Sequence, residues 1–398
     1  MSSSHYLVVR ELLRRGHFVD FYAIEGWIQP GGLSAFPTFA YHPIRRELCR
    51  RIYRDIERIP VGPIRRATRA GFAQVAKYLD WQPIGDAIRS KHAEAPYDAL
   101  LVLGLLSPWR LDDRPTITWS QGTPDGEFGW YRRNVTTAVR LVGASRLALL
   151  TAAYAGKYGE VCARYARSDV IIAESQWSSE QWERFGVPRR RLACLPYAVD
   201  LDAFQPPAAP PPRARAGFTF LHVGRIAARK RLDLLLDAFP LVTSHQPDAR
   251  LLVIGSSLVP RIATRLAANV MPGIEYRQFV DHADMPLVMA QADCLVQPSE
   301  HENFGSAVAE AMACGLPVIV GPTNGMKDFV PQGSVVFDRY TPDALAAAML
   351  EVIRRSGSGK ASIAAASRRA AEEQFDPERV ADGLCAIIAQ SQSSPGPR

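Results

Sequence analysis

Short apolar runs alternate with segments of helical periodicity in both halves of this chain, and no other feature constrains the fold as much. The alternation is typical of parallel β-sheets that carry helices on both faces. Residues 206–217 are rich in proline and lack periodicity, which indicates a stiff linker. A chain of 398 residues is long enough for two domains with separate cores. The sequence therefore predicts an α/β protein with two doubly wound domains and a cleft between them.

The predicted domain boundaries follow the same pattern. We assign residues 1–203 to an N-terminal domain, 204–375 to a C-terminal domain, and 376–398 to a C-terminal helix with a frayed tail. Most α/β domains begin with a strand, whereas this chain begins with a predicted helix; we interpret this as a missing first strand, from a start site placed inside the gene or from a real truncation. Strands are predicted at residues 17–24, 99–104, 116–119, 170–173, 192–196, 218–223, 250–254, 274–279, 293–297, 317–320 and 334–337. Helices are predicted at residues 6–15, 44–59, 63–79, 135–167, 176–185, 231–243, 284–291, 305–314 and 342–390.

The positive charge is confined to one region. Residues 42–92 hold twelve Lys and Arg against five Asp and Glu, which accounts for the whole net charge of +7. Helical periodicity places these basic residues opposite apolar stripes. Two interpretations stay open: a solvated basic face, or peripheral docking on an anionic membrane, to which each basic group adds about 1 kcal/mol. Nucleic acid is a weak third interpretation, because no nucleic-acid motif accompanies the basic residues, and we expect no nucleic-acid partner.

Composition limits the cellular location. The six cysteines show no C-x-x-C and no metal-ligand spacing, which favours buried thiols in a reducing cytosol. No apolar run reaches the roughly 18 to 20 residues that span a bilayer. Arg10 and Glu11 interrupt the region where a signal peptide needs apolar residues. We therefore expect a cytoplasmic protein, either fully soluble or peripheral at the inner face of the membrane.

One stretch of the second half carries the strongest chemical signal. Residues 298–319 read PSEHENFGSAVAEAMACGLPVI and follow a predicted buried strand. A strand, a glycine turn and a helix N-terminus together form an anion site, because free N–H groups and the positive end of the helix dipole meet there. Gly305 allows a ligand to approach the backbone closely. Glu302 precedes the helix and Glu310 lies one to two turns inside it.

A second signal follows the first strand of the second half. Gly224-Arg225 ends this strand, and Lys230 begins the next helix. A guanidinium fork and a lysine point charge at such a position suit a diphosphate. Taken without their position, the two residues would be ordinary surface cations.

These motifs resemble the retaining glycosyltransferases of family 4 (glycosyl transferases group 1), which have the GT-B fold. ENFGSAVAE is similar to their E-x7-E signature, and GRIAARK to their G-R-x-x-x-x-K segment. The resemblance implies that Arg225 and Lys230 hold the pyrophosphate of the donor and that Glu302 lies beside the donor sugar. It also implies that Glu310 binds the ribose hydroxyls and that the backbone near Val280 contacts the base. Gly224 and the backbone near Asn303, Phe304, Gly305 and Ser306 complete the implied donor site.

The first half resembles the family less closely. ITWSQGTP matches a segment in which many members carry His before Gly, and Gln121 stands at this position. An amide still hydrogen-bonds a sugar hydroxyl but does not titrate near neutral pH. Tyr197-Ala198 stands where the family usually has Asn-Gly. We expect the family's usual first strand and glycine-rich loop to be missing, and with them the contacts of that loop.

The resemblance implies sugar transfer, with retention, from a nucleotide-diphosphate sugar to a glycan or lipid-linked acceptor, as in cell-envelope polysaccharide or glycolipid synthesis. No cofactor is expected besides the donor substrate. Asp200-Leu201-Asp202 spells a metal-binding D-x-D, but it lies in the predicted crossover, so we predict a turn and no metal. Two alternatives stay open: a GT-B epimerase or hydrolase that needs no acceptor, and a non-catalytic donor-binding or decayed paralogue.

Overall fold

The computed structural model describes residues 3–24, 31–44, 55, 57–58, 60, 83–104, 109–123, 126–152, 167–207, 217–268 and 271–393. Nearly all of the predicted basic helices at 44–59 and 63–79 and most of the predicted linker at 206–217 lie outside these residues. Ile44 is an exception, since it ends a strand rather than beginning a helix.

The second half forms a parallel sheet of six strands in the order β12-β11-β10-β7-β8-β9. Its central strands are buried on both faces, as expected for the apolar sequences CLV of β10 and VIV of β11. The strand order reverses between β7 and β10, and ligands of doubly wound sheets bind at the carboxyl ends beside such a reversal. The strands are β7 Thr219–Val223, β8 Arg250–Ile254, β9 Ile274–Arg277, β10 Cys294–Gln297, β11 Val318–Val320 and β12 Val335–Val336.

The first half contains two parallel sheets. One has the order β3-β4-β5-β6, and the other pairs β1 with β2. Strand β2 was not predicted, since its sequence FAYHPI ends at a Pro-Ile that also fits the start of the next helical stripe. Residues of β1 and β3 line one groove of about 1370 Å³. The strands are β1 Val19–Ile24, β2 Phe39–Ile44, β3 Leu100–Leu103, β4 Thr116–Trp119, β5 Val170–Ala173 and β6 Leu192–Cys194.

Helices pack against the sheets of both halves, and some of them cross from one half to the other. In chain order they are α1 Ser3–Arg14, α2 at 83–94, α3 Gly126–Arg133, α4 Val135–Val142, α5 Ala144–Ala152, α6 Gln176–Arg184, α7 Leu232–Thr243, α8 Pro260–Ala267, α9 Met285–Met289, α10 Ser306–Ala313, α11 Pro342–Phe375 and α12 Pro377–Ser393. The last helix returns to the first half, where Val380 and Leu384 pack with Leu7 and Ile117. Conversely, Trp130 and Leu141 of the first half pack in the core of the six-stranded sheet.

The predicted α/β class with parallel sheets is confirmed, and the predicted strands lie within three residues of those observed. The long helical region predicted at about 135–167 contains a break that was not predicted. Gly143 takes a positive φ of 84° and separates α4 from α5, which meet at 114°. Apolar periodicity continues through this glycine, so the sequence pattern hides the break. Helices α2, α3 and α8 were also missed.

The angle between α4 and α5 matters for the membrane question. Together the two helices have the length and apolar character of a bilayer span, but they are bent sharply against each other. Among the described residues, no single helix has the length and apolarity needed to cross a bilayer.

Candidate functional site

A cavity of about 820 Å³ lies between the two halves at the carboxyl ends of β7 and β10. Most of the predicted site residues line it together, which their separation in sequence does not require. Those residues are Gln121, Gly224, Arg225, Lys230, Glu302, Asn303, Phe304, Gly305 and Ser306. Val280 and Glu310 are not among the described residues that line the cavity. Their predicted roles, like those of the others, stay predictions.

The two halves are joined by polar contacts around this cavity. The Ser175 hydroxyl donates to the carbonyl of Asn303 at 2.8 Å, and the Asn134 amide donates to Glu300 at 3.0 Å. Thr123 Oγ1 lies 3.1 Å from Nε2 of His301, whose φ of 70° is unusual for a side chain with a Cβ. The backbone around the E-x7-E segment is therefore fixed from both sides.

Arg225 is an exposed cation of the cavity, as is Arg146. It follows Gly224, whose φ of 142° turns the chain away from β7. The Arg225 guanidinium has no hydrogen bond or ion pair to any other residue in the described ranges. It is therefore available to an anionic ligand without breaking an existing contact.

Lys230 is placed differently from Arg225. Its ammonium contacts the Glu302 carboxylate, which also accepts a hydrogen bond from Arg229 at 3.2 Å. Burial acts to raise the pKa of Glu302, but the two cations outweigh it and lower that pKa to about 2. The predicted diphosphate cation and the predicted sugar carboxylate thus form one buried cluster, and Lys230 must leave Glu302, at least in part, to reach a phosphate.

The first turn of α10 supplies backbone donors. Gly305 begins this helix with a φ of 90°, and the amides of Ser306 and Ala307 have no hydrogen-bond partner among the described residues. Both residues line the cavity. Unpaired amides at a helix N-terminus, with the dipole behind them, form a ready anion site.

Replacing Gly305 by alanine tests this turn. A Cβ at Gly305 would lie 2.6 Å from Oε1 of Gln297, and an L-residue at this φ costs about 1–2 kcal/mol. We expect lower stability in urea and an affinity for nucleotide reduced about tenfold. Gly357→Ala is the matched control, because a Cβ there meets nothing within 4 Å. Equal nucleotide affinity in both variants would contradict the role of this turn.

Glu310 lies in α10 beside His282 rather than in the cavity lining. His282 Nε2 is 3.1 Å from Oε1 of Glu310, and this hydrogen bond raises the pKa of His282. Only 12% of the Glu310 side chain is exposed. A ligand that uses this carboxylate as a hydrogen-bond acceptor would have to share it with His282 or displace it.

Two residues that line the cavity were not identified from the sequence. Arg229 stands next to Lys230 and contacts Glu302, but three consecutive cations, ARKR, gave no reason to choose it. Glu174 is fully buried and lines the cavity from the first half. It follows β5 directly, so the rule that ligands meet the carboxyl ends of parallel strands could have found it.

Comparison with solved structures gives the fold. Alr3699/HepE of Anabaena, crystallised with UDP and glucose, superposes with a TM-score of 0.61 at 15% identity over 98% of this chain and 96% of that chain. The predicted class is confirmed: the protein has the GT-B fold, with two Rossmann-like domains. Residues 211–370 match the model of the family glycosyl transferases group 1, which confirms the predicted resemblance.

Two curated relatives illustrate the sequence similarity. The GDP-mannose-dependent monoacylated α-(1-6)-phosphatidylinositol monomannoside mannosyltransferase of Corynebacterium glutamicum is 29% identical over 248 residues, covering 57% of this chain and 63% of the relative. A D-inositol 3-phosphate glycosyltransferase of Xylanimonas cellulosilytica is 28% identical over 253 residues, covering 57% of this chain and 58% of the relative. The chain thus spans about three fifths of the length of these relatives.

Proposed function

We propose that this protein transfers a sugar from a nucleotide-diphosphate sugar to an acceptor, with retention at the anomeric carbon. The observation that carries the proposal is the convergence of Arg225, Lys230 and the unpaired amides of α10 on one cavity between two Rossmann-like domains. The match of residues 211–370 to the model of glycosyl transferases group 1 supports it.

The donor diphosphate would bind at the carboxyl ends of β7 and β10. Negative charge grows on the leaving diphosphate as the bond from the sugar breaks. Arg225, Lys230 and the N-terminus of α10 would stabilise this charge as preformed groups, which is usually the largest electrostatic contribution to catalysis. Lys230 would move from Glu302 toward the phosphate when the donor binds.

Glu302 would lie against the sugar. When Lys230 leaves Glu302, the Glu302 carboxylate keeps Arg229 as its only cation among the described residues. Its negative charge would then stabilise the positive charge that develops on the anomeric carbon. The acceptor oxygen would form its bond to that carbon on the face from which the phosphate leaves. The phosphate oxygen would take the acceptor proton, so that no separate base is needed and the configuration is retained.

The acceptor would bind the first half, near Gln121. Relatives are named for phosphatidylinositol mannosides and inositol 3-phosphate, which favours a glycan or glycolipid of the cell envelope as acceptor. The basic residues between 42 and 92 would then hold a cytoplasmic protein at an anionic membrane. Charge reversal at Arg45, Arg46, Arg50 and Arg51 should abolish sedimentation with anionic vesicles; unchanged sedimentation would remove the membrane from the proposal.

The donor site is tested by thermal shift with UDP, GDP, ADP and TDP. A nucleotide that binds the native state raises the melting temperature in proportion to RT ln(1 + [L]/Kd). We expect one nucleotide to do so, and Glu310→Ala to weaken its binding at least about tenfold, since a carboxylate that binds a ribose diol contributes more than about 1.4 kcal/mol.

Glu373→Ala is the matched control, because Glu373 is exposed on α11. It should bind the nucleotide as the wild type does. If no nucleotide raises the melting temperature of the wild type, the transferase proposal gives way to a non-catalytic role.

A further inference from the structure

Glu174 is a buried carboxyl at the first-half wall of the cavity. It stands at the carboxyl end of β5 and is completely inaccessible to solvent. Three hydroxyls surround it: Ser120 Oγ and Tyr197 Oη lie 3.0 and 3.3 Å from Oε1, and Ser178 Oγ lies 2.8 Å from Oε2. Among the described residues, no nitrogen of Lys, Arg or His lies within 4.0 Å of the carboxyl group.

The hydroxyl hydrogens around Glu174 are too few for all of its contacts unless the carboxyl group is itself protonated. Tyr197 has one hydroxyl hydrogen, and its oxygen is much closer to the carbonyl of Ser120, at 2.5 Å, than to Glu174. A carbonyl can only accept, so the phenol donates there. The 3.3 Å contact between Tyr197 and Glu174 then contains a hydrogen only if the carboxylic acid donates it to the phenol oxygen.

The electrostatic surroundings agree with that count. Burial raises the pKa of Glu174 to about 7, although hydrogen bonds from Ser178, from the backbone amide of Glu174 itself and from Ser120 act to lower it. Among the described residues, the titratable groups that face it are Tyr197 and, on β6, Cys194, and burial raises the pKa of the Cys194 thiol to about 11. A neutral acid therefore persists in the folded protein well above the pH at which an exposed glutamate ionises.

The groups attached to Glu174 are those that shape the acceptor side. The Ser120 hydroxyl that contacts it also accepts from the Gly122 amide at 3.3 Å, which fixes the turn that carries Gln121. The Tyr197 ring packs edge-on against Phe304 at 5.4 Å between centroids. One carboxyl thus connects the Gln121 turn to the segment that is predicted to hold the donor.

We propose that Glu174 is a positioning residue that, as a neutral acid, holds the Gln121 turn and Tyr197 in place for the acceptor, and that its ionisation loosens this wall. The acceptor role rests on the proposed function, whereas the neutral acid rests on the geometry alone. Tyr197 stands where the family usually has Asn, and it would act together with Glu174 in this protein.

The test is urea unfolding of the wild type and of Glu174→Gln between about pH 5 and about pH 8. A folded-state pKa above the unfolded value contributes stability that is full below about pH 4.5 and is lost as the pH rises through about 7. The unfolding equilibrium constant of the wild type should therefore rise by a factor of about 50 to 100 more than that of Glu174→Gln. Equal pH dependence in the two proteins would overturn the proposal.

Two further variants sharpen the result. Glu183→Gln, on the outer part of α6, should keep the pH dependence of the wild type. If Glu174→Gln does not fold, Tyr197→Phe decides: loss of the phenol oxygen removes an acceptor for the neutral acid, so the pH dependence should become smaller. A larger pH dependence would mean that the phenol donates to a carboxylate, and would overturn the proposal.

Hydrogen exchange tests the positioning role. Protection of the Gly122 amide, corrected for its intrinsic rate, should fall in the wild type between about pH 6 and about pH 8 and stay constant in Glu174→Gln. Constant protection in both proteins would remove the link to the Gln121 turn. None of these measurements needs a donor or an acceptor, so a failure of the transferase proposal would be seen separately, in the nucleotide screen.

Discussion

Replacing Lys230 by methionine is expected to lower kcat/KM for sugar transfer by a factor of about 100 to 1000, the usual cost of removing one preformed group that stabilises charge in the transition state. Methionine keeps the length and much of the apolar stem of lysine but cannot neutralise the leaving diphosphate. Arg225 would remain, and so would the amides of Ser306 and Ala307, which is why the loss should stay finite. Initial rates with the nucleotide sugar identified by the thermal screen give the measurement.

Loss of stability could imitate this result, because Lys230→Met also leaves buried Glu302 with Arg229 as its only cation among the described residues. Lys360 offers a matched control. It pairs with Asp293, only 4% exposed, at 2.7 Å, just before β10 and away from the cavity lining. Lys360→Met therefore removes the lysine partner of a buried carboxylate without touching the proposed phosphate site.

A catalytic role for Lys230 requires that Lys230→Met and Lys360→Met differ in their effects on transfer. Lys360→Met should lose stability but keep kcat/KM at a temperature where it stays folded, whereas Lys230→Met should lose kcat/KM. A similar loss of rate in both, or normal transfer by Lys230→Met, would contradict the role given to Lys230.

The strands and the glycine turn that border the cavity could be predicted from the sequence because local signals determine them. Short apolar runs such as Cys294-Leu295-Val296 indicate buried strands, and the strands of a parallel sheet end at one edge, so Arg225 and Glu302 were expected at the same edge. Gly305 was identifiable for the same reason: a glycine between a strand and an Ala-rich helix has one common use.

What escaped prediction depends on contacts between distant segments. The pairing of Lys230 with Glu302 joins residues 72 positions apart, and periodicity contains no information about it. Gly143 breaks a helix whose apolar pattern continues on both sides. Glu174 looked like an ordinary polar residue at a strand end, because its importance comes from complete burial against the hydroxyls of Ser120, Ser178 and Tyr197, two of which are distant in sequence.

Acidification is expected to destabilise the protein through Glu302 by about 2 kcal/mol between about pH 6 and about pH 3. Lys230 and Arg229 hold the pKa of Glu302 at about 2, below the 4.5 of an exposed glutamate, despite the opposing effect of burial. A lowered folded-state pKa contributes stability that is present above about pH 4.5 and is lost as the pH falls toward 2. Urea unfolding of the wild type and Glu302→Gln over this range measures the contribution as a difference in slope.

Glu302 and Glu174 line the same cavity, yet their effects on stability should have opposite signs. Glu302 faces two cations and is stabilised as an anion, whereas Glu174 faces hydroxyls and is stabilised as an acid. Glu302→Gln should therefore flatten the acid side of the stability profile and leave the neutral side unchanged, while Glu373→Gln should leave both unchanged. An acid side equally steep in Glu302→Gln and the wild type would mean that the two cations do not hold Glu302 ionised, and Lys230 would then have no strong partner to leave when a diphosphate arrives.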